Sequence, residues 1–207
     1  LYLSLFLKGG AAIPTKGMGE ITQQLAQVVG MQNIKLKTTV TEIEKKEDYW
    51  QLKTESGQVY HAKGIVLATD HYNACKLWPR LGAPSKSRPL STHFFLADKK
   101  STQEKLGPLT FFPTGNAIHH IAIPSMINSN YTKENAHVIM ASTYGNDSVD
   151  VQSVQDELGH RGLPEAKKWQ HIYHIKLKET LPDMKQNQRN DEKGLIIAGD
   201  WTTFPSI

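Results

Sequence analysis

Two short runs of this chain are apolar without a break: Gly64-Ile65-Val66-Leu67-Ala68-Thr69 and Leu195-Ile196-Ile197-Ala198. A strand with one wet face alternates apolar and polar residues, because successive side chains point to opposite faces. A run without alternation, too short for an ordinary helix, reads as a strand covered on both faces, and such strands belong to parallel sheets flanked by helices. The pair therefore predicts an α/β fold. Each run leads into small or acidic residues, Ala68-Thr69 in one case and Gly199-Asp200 in the other. In open α/β sheets, ligands bind at the C-terminal ends of the strands. A glycine there lets backbone approach a ligand, and a short carboxylate accepts hydrogen bonds from sugar hydroxyls. An ordinary Gly-Asp turn at a strand end is the plain alternative.

The rest of the chain divides around these runs. Ile13 to Gly17 reads as a loop, followed by a helix from about Met18 to Val29 with Met18, Ile21, Leu25 and Val28 on one face. Gly30 is a natural stop. Strands are expected at 34–37, 40–43, 49–54 and 59–61, the last two joined by a turn at Ser56-Gly57. A short helix, Tyr72 to Trp78, should end before Pro79. The Pro- and Ser-rich stretch from 79 to 89 is the expected domain boundary. Beyond it, strands are expected at 91–97, 109–114, 117–123, 137–142 and 172–178, with Gly115-Asn116 as a hairpin turn. Val151, Val154 and Leu158 mark an amphipathic helix, and 185–193 reads as a polar loop. Residues 13–78 and 185–207 would form one discontinuous domain, with 79–184 inserted as a second.

Composition narrows the partners. The chain has 207 residues, and its net charge of +4 comes from scattered lysines rather than a basic stripe interleaved with aromatics, which argues against nucleic acid. With a single cysteine, Cys75, neither a disulfide framework nor a cysteine zinc site can form. Cys75 reads as a buried core thiol, and a cytoplasmic location is expected. No apolar run approaches the ~20 residues of a membrane span. Leu1 to Leu7 is apolar but short, and it lacks a basic start. Both ends of the chain look cut.

Other chemistry-bearing residues carry weaker signals. His119 and His120 are adjacent in an expected strand, so at most one should face a pocket. His171 and His174, three apart, should lie on opposite faces of a strand, and with no third ligand a metal site is not expected. Ser125 and Ser206 lack a nucleophile elbow. No catalytic residue is identified.

The segment LIIAGDWTTFPSI, residues 195–207, resembles the flavin-contacting stretch of the superfamily of flavin-containing amine oxidases, protoporphyrinogen oxidases and phytoene desaturases. The resemblance implies that Gly199 and Asp200 meet FAD near its pyrophosphate and ribityl chain. It places Trp201, Pro205 and Ser206 close to the isoalloxazine ring. Ile13-Pro14-Thr15-Lys16-Gly17-Met18, the helix after it and the run from Ile34 to Ile43 resemble the family's P-x-x-G-M segment, helix and T-x-V-x-x-I strands. That match implies a backbone contact from Val40 to the adenine edge. Gly64 to Thr69 resembles the V-V-x-A-x-P strand end, with Asp70 in place of the frequent proline, and implies backbone contacts from Ala68 and Thr69. Trp169 to Pro182 resembles the segment leading back to the last flavin strand.

The family's opening G-x-G-x-x-G unit, whose helix N-terminus holds the pyrophosphate, has no counterpart. The nearest glycine pair, Gly17 and Gly19, has Thr22 where the third glycine should stand. The resemblance therefore implies a fragment: a partial FAD/NAD(P)-binding, Rossmann-like domain with an inserted substrate domain of mixed or antiparallel sheet plus helices. A missing N-terminal segment or a partner chain would supply the phosphate site. The implied activity is oxidation of a C–N or C–C bond of a small organic substrate by two-electron transfer to flavin. The rival from another class is a non-catalytic α/β binding or interaction module that retains the scaffold.

Overall fold

A computed structural model describes residues 12–84, 86–102, 106–112, 117–132, 135–145, 149–182 and 192–202. The chain divides into two compact units, residues 35–88 with 178–207 and residues 1–34 with 89–177.

The smaller unit opens with an antiparallel meander of β1 (Val40–Lys45), β2 (Trp50–Thr54) and β3 (Val59–Ala62). The strand expected at 34–37 does not form. The chain turns at Leu36-Lys37, where Lys37 takes a φ of +53°, and Leu36 is left exposed. Among the described residues, no strand pairs with it.

Next come β4 (Ile65–Leu67) and, far along the chain, β10 (Leu195–Ile197). They pair in parallel, Ile65 opposite Leu195 through to Leu67 opposite Ile197. The entry to β10 requires glycine: Gly194 has a φ of +83°, and a Cβ there would stand 2.9 Å from the Trp50 indole nitrogen. Trp50 is fully buried and meets Trp78 edge-on at 5.2 Å, in a core shared with Ile43, Leu67, Leu195 and Trp201. Burial on both strand faces, expected from the unbroken apolar runs, is not found. Val66 and Ile196 are paired across the sheet and point away from this core, 60% and 63% exposed. Helix α2 (His71–Leu77) follows β4, and the Asp70 carboxylate caps it by accepting a hydrogen bond from the Asn73 N–H at 3.0 Å.

The larger unit is built on a five-stranded sheet in the order β6 (Leu109–Phe111), β7 (Ile118–Ala122), β8 (Ala136–Tyr144), β5 (Ser87–Asp98), β9 (Gln170–Pro182). β5 and β8 run antiparallel from Leu90 opposite Tyr144 to Asp98 opposite Ala136. The expected β6–β7 hairpin is present, although its turn, 113–116, lies outside the described residues. The polar loop expected at 185–193 lies outside them through residue 191. Helix α3 (Val151–His160), capped by Asp150, packs Val154 and Leu158 against Phe95, Ile121 and Ile139 of one sheet face. The Glu157 carboxylate accepts the amides of Ala117 and Ile118 and the Arg161 guanidinium, tying α3 to the start of β7. Helix α1 (Gly19–Val29) ends at Gly30 as expected, but its apolar stripe is exposed, with Leu25 at 62% and Val28 at 87%.

Candidate functional site

The parallel pairing of β4 and β10 brings two loops, 132 residues apart in sequence at their joining bond, to one end of the smaller unit. The ladder runs one step past the strands, with the Ala198 N–H donating to the Leu67 carbonyl at 3.1 Å. Ala68 and Thr69 therefore stand beside Gly199 and Asp200. Trp201 fastens the two loops: its indole N–H donates to the Thr69 carbonyl at 3.0 Å, and its ring stacks on His71 at 4.5 Å and 12°. Gly199 makes this possible, because a Cβ there would lie 2.5 Å from the Trp201 indole nitrogen. The Thr202 hydroxyl donates to the Gly199 carbonyl at 2.7 Å and closes the turn.

The expected site residues sort by these contacts. Asp200 is exposed, and among the described residues no hydrogen bond or ion pair engages its carboxylate. It is free to accept a ligand hydroxyl. Ala68 is exposed and Thr69 half-buried. Trp201 is buried, its ring turned into the core rather than outward. Val40 begins β1, which among the described residues is an edge strand, and its ladder slips between Val40 and Glu42. Pro205 and Ser206 lie outside the described residues. His71 was invisible to sequence reasoning, since only the parallel pairing brings it to Trp201. Asp70 carried a readable sign, a short acid just before an apolar helix.

The larger unit holds two histidine clusters that strand alternation did not foresee. His93 is fully buried; its Nε2 lies 2.9 Å from the Val149 carbonyl and its Nδ1 3.3 Å from His171 Nε2. Its ring stacks on His174 at 3.8 Å, and His174 Nε2 lies 2.5 Å from the Ser91 hydroxyl. His171 and His174 thus share a face instead of opposing one another. Tyr173 meets Phe94, whose side chain lies on the opposite sheet face from Phe95. Burial pushes His93 down to about 4, opposed by its bond to Val149 and reinforced by His174, His171 and Lys176. Among the described residues, no group of histidine, cysteine or acidic side chains is arranged to hold a metal ion.

His119 and His120 are corrected in the same way. The β7–β8 register shifts between Ile118 and His120, and both rings contact Tyr144, at 5.1 and 5.9 Å.

The family model for flavin containing amine oxidoreductases matches residues 1–207. The chain belongs to this family. Solved structures of the same fold include a candidate protoporphyrinogen oxidase from Exiguobacterium sp. 255-15, at 17% identity and a TM-score of 0.65, covering 91% of this chain and 48% of that one. An oxidoreductase from Methanosarcina mazei matches at 13% identity and TM-score 0.66, covering 96% and 53%. Putrescine oxidase bound to putrescine matches at 8% identity and TM-score 0.63, covering 89% and 47%. The chain spans about half the length of these structures. The comparison with curated proteins gives no match. No helix among the described residues is long and apolar enough to cross a membrane.

Proposed function

We propose that this chain is a fragment of an FAD-dependent oxidoreductase that oxidises a C–N or C–C bond of a small organic substrate. The observation that carries the reading is the parallel β4–β10 pair, which brings Ala68-Thr69 and Gly199-Asp200 together at one end of a sheet inside a chain of this family. These residues fit FAD. Gly199 and Ala68 present backbone without bulk, Asp200 offers an unengaged carboxylate to ribityl or ribose hydroxyls, and Val40 offers an open strand edge to the adenine. Pro205 and Ser206 would continue toward the flavin ring. Trp201 acts from beneath, holding the two loops in register.

When bound, the flavin takes up the electron pair leaving the substrate; the chain's own residues bind and orient it and exclude water. Residues 13–78 and 185–207 would be the flavin-binding part, and 79–184 the substrate-binding part. The phosphate-binding turn and helix would come from a preceding segment or a partner chain. The outward apolar faces of Val66 and Ile196 support this, since a parallel pair in an α/β sheet is normally covered on both sides. The single buried thiol, Cys75, accords with a cytoplasmic setting.

The test is the visible absorption of the parent polypeptide as purified. Bound flavin is expected, and Asp200→Ala should release most of it on gel filtration while leaving urea stability within ~0.5 kcal/mol, as for an exposed residue. A colourless parent that takes up no added FAD would end the flavin reading. Retention unchanged by Asp200→Ala would remove that residue from the site.

A further inference from the structure

The β4–β10 ladder ends where the Ala198 N–H reaches the Leu67 carbonyl. Beyond that step Trp201 ties the two loops, with its indole N–H on the Thr69 carbonyl at 3.0 Å. One N–H···O bond fixes a direction but not a ring plane, and the indole can still rock about the line of the bond. The χ2 torsion of a tryptophan is broad and sets no sharp plane of its own. Flat surfaces on either loop remove that freedom. A Cβ on Gly199 would lie 2.5, 2.9 and 3.4 Å from Nε1, Cδ1 and Cε2 of the indole, so the bare Gly199 backbone stands close against its five-membered ring. His71 supplies the second surface. Its ring lies within 12° of parallel to the indole, with 4.5 Å between centroids.

His71 is itself held. It is buried and opens α2, whose first turn is capped by Asp70 through the Asn73 N–H at 3.0 Å and the Asn73 side-chain amide at 2.7 Å. The same helix packs Ala74 into the core that contains Leu67 and Trp201. The imidazole is thus a fixed plate, and the indole is the part it aligns. His71 stands two residues after Thr69, so the loop that offers backbone to a ligand also carries the plate that orients the facing loop. We propose that His71 is a positioning residue for the cofactor: by holding the plane of Trp201, it keeps the loops at Thr69 and Gly199 in the arrangement that receives FAD. The proposal rests on the flavin reading for its ligand, but the clamp itself needs no flavin. Without the ring, Trp201 leaves its slot part of the time. Apparent affinity then falls with the fraction of molecules that keep both loops in place.

The clamp is read first in the 207-residue chain, by NMR of the Trp201 indole N–H, with Trp201→Phe to assign its resonance. The N–H should be protected from solvent exchange in the wild type and should exchange about tenfold faster in His71→Ala, the loss expected for one stacked ring pair. His71→Phe keeps a flat ring and should restore the protection. The cofactor is read in the parent polypeptide, loaded with excess FAD, desalted and diluted, by the rise in flavin fluorescence as FAD leaves. His71→Ala should release FAD about tenfold faster than the wild type. His71→Phe should stay within about twofold, and so should Tyr72→Ser, a change at the exposed next position of α2. Urea unfolding checks that each variant is folded under these conditions.

A residue that only supports the fold would lower the urea midpoint in His71→Ala and leave FAD release from the folded protein unchanged. That result overturns the proposal. So does a failure of His71→Phe to restore indole protection or slow release, and so does an indole N–H that exchanges as fast in the wild type as in His71→Ala. The two readings fail separately. A flavin-loaded parent whose release ignores His71 rejects the positioning role alone. A parent that takes up no FAD rejects the flavin reading, and with it the ligand named here, while indole exchange in the chain still decides whether His71 holds Trp201.

Discussion

Acid should weaken the larger unit through His93. The Val149 carbonyl can only accept, so His93 Nε2 carries the proton that reaches it at 2.9 Å, and Nδ1 accepts from His171 Nε2 at 3.3 Å. A second proton on Nδ1 would set two donors face to face in a buried site, beside His174 and within the field of Lys176. Burial and these neighbours hold His93 at about 4 in the folded chain, against ~6.5 when unfolded. The folded state therefore binds fewer protons than the unfolded state between these values. The stability His93 contributes is complete above ~6.5 and is lost as pH falls toward 4, a total of ~3 kcal/mol. His174 and His137 are also held low by burial, so their contributions have the same sign. The assay is urea unfolding followed by circular dichroism at a series of pH values from 7.5 to 4. His93→Gln keeps a donor for Val149 but cannot titrate. It should lose ~3 kcal/mol less than the wild type over that range. Parallel pH curves for the two proteins would refute the assignment of the acid sensitivity to His93.

Two further predictions concern stability at neutral pH. Trp201→Ala removes a buried indole and its bond to Thr69, and should cost ~3–5 kcal/mol in urea unfolding. Trp201→Phe keeps a ring against His71 and should lose ~1–2 kcal/mol. Equal losses in the two would mean that the hydrogen bond, not the packing, fastens the loops. Glu157→Ala strips a half-buried carboxylate from the amides of Ala117 and Ile118 and from Arg161, whose side chain is 13% exposed, and should cost ~3 kcal/mol. A cost under ~1 kcal/mol would show that α3 and β7 hold together without it.

The elements were legible because their periods are local. The unbroken runs at 64–69 and 195–198, the alternation of β5 and β8, and Asp150 before an apolar helix each mark an element from a few neighbouring residues. What alternation could not supply was the face. One extra residue at His119 reverses the parity of everything beyond it, and a slip of this kind leaves no compositional sign. The placing of His119 and His120 turns on that shift. The site was half legible. Gly199, Asp200, Ala68 and Thr69 follow from strands ending in small or acidic residues, whereas the inward turn of Trp201 onto Thr69 and His71 depends on a partner distant in sequence.

Burial is where sequence and structure part most sharply, and the disagreement is itself informative. Apolar periodicity reflects what each residue touches in the working protein. Exposure reflects what it touches in this chain. The two agree in both cores, at Phe95, Ile139, Trp50 and Leu195 among others. They disagree at Val66 and Ile196, and again along Leu25 and Val28 of α1. Uncovered apolar residues scattered singly need no explanation, but a cross-strand pair and a helical stripe follow the period of an element that packs against something. On the proposed reading that something is the phosphate-binding half. The pair at Val66 and Ile196 stands on the very strands whose ends carry Thr69 and Gly199, so covering that face and completing the cofactor site would be one event. FAD uptake and protection of Val66 and Ile196 from solvent should then appear together when the parent is compared with this chain, and hydrogen exchange of the β4 and β10 amides would register it.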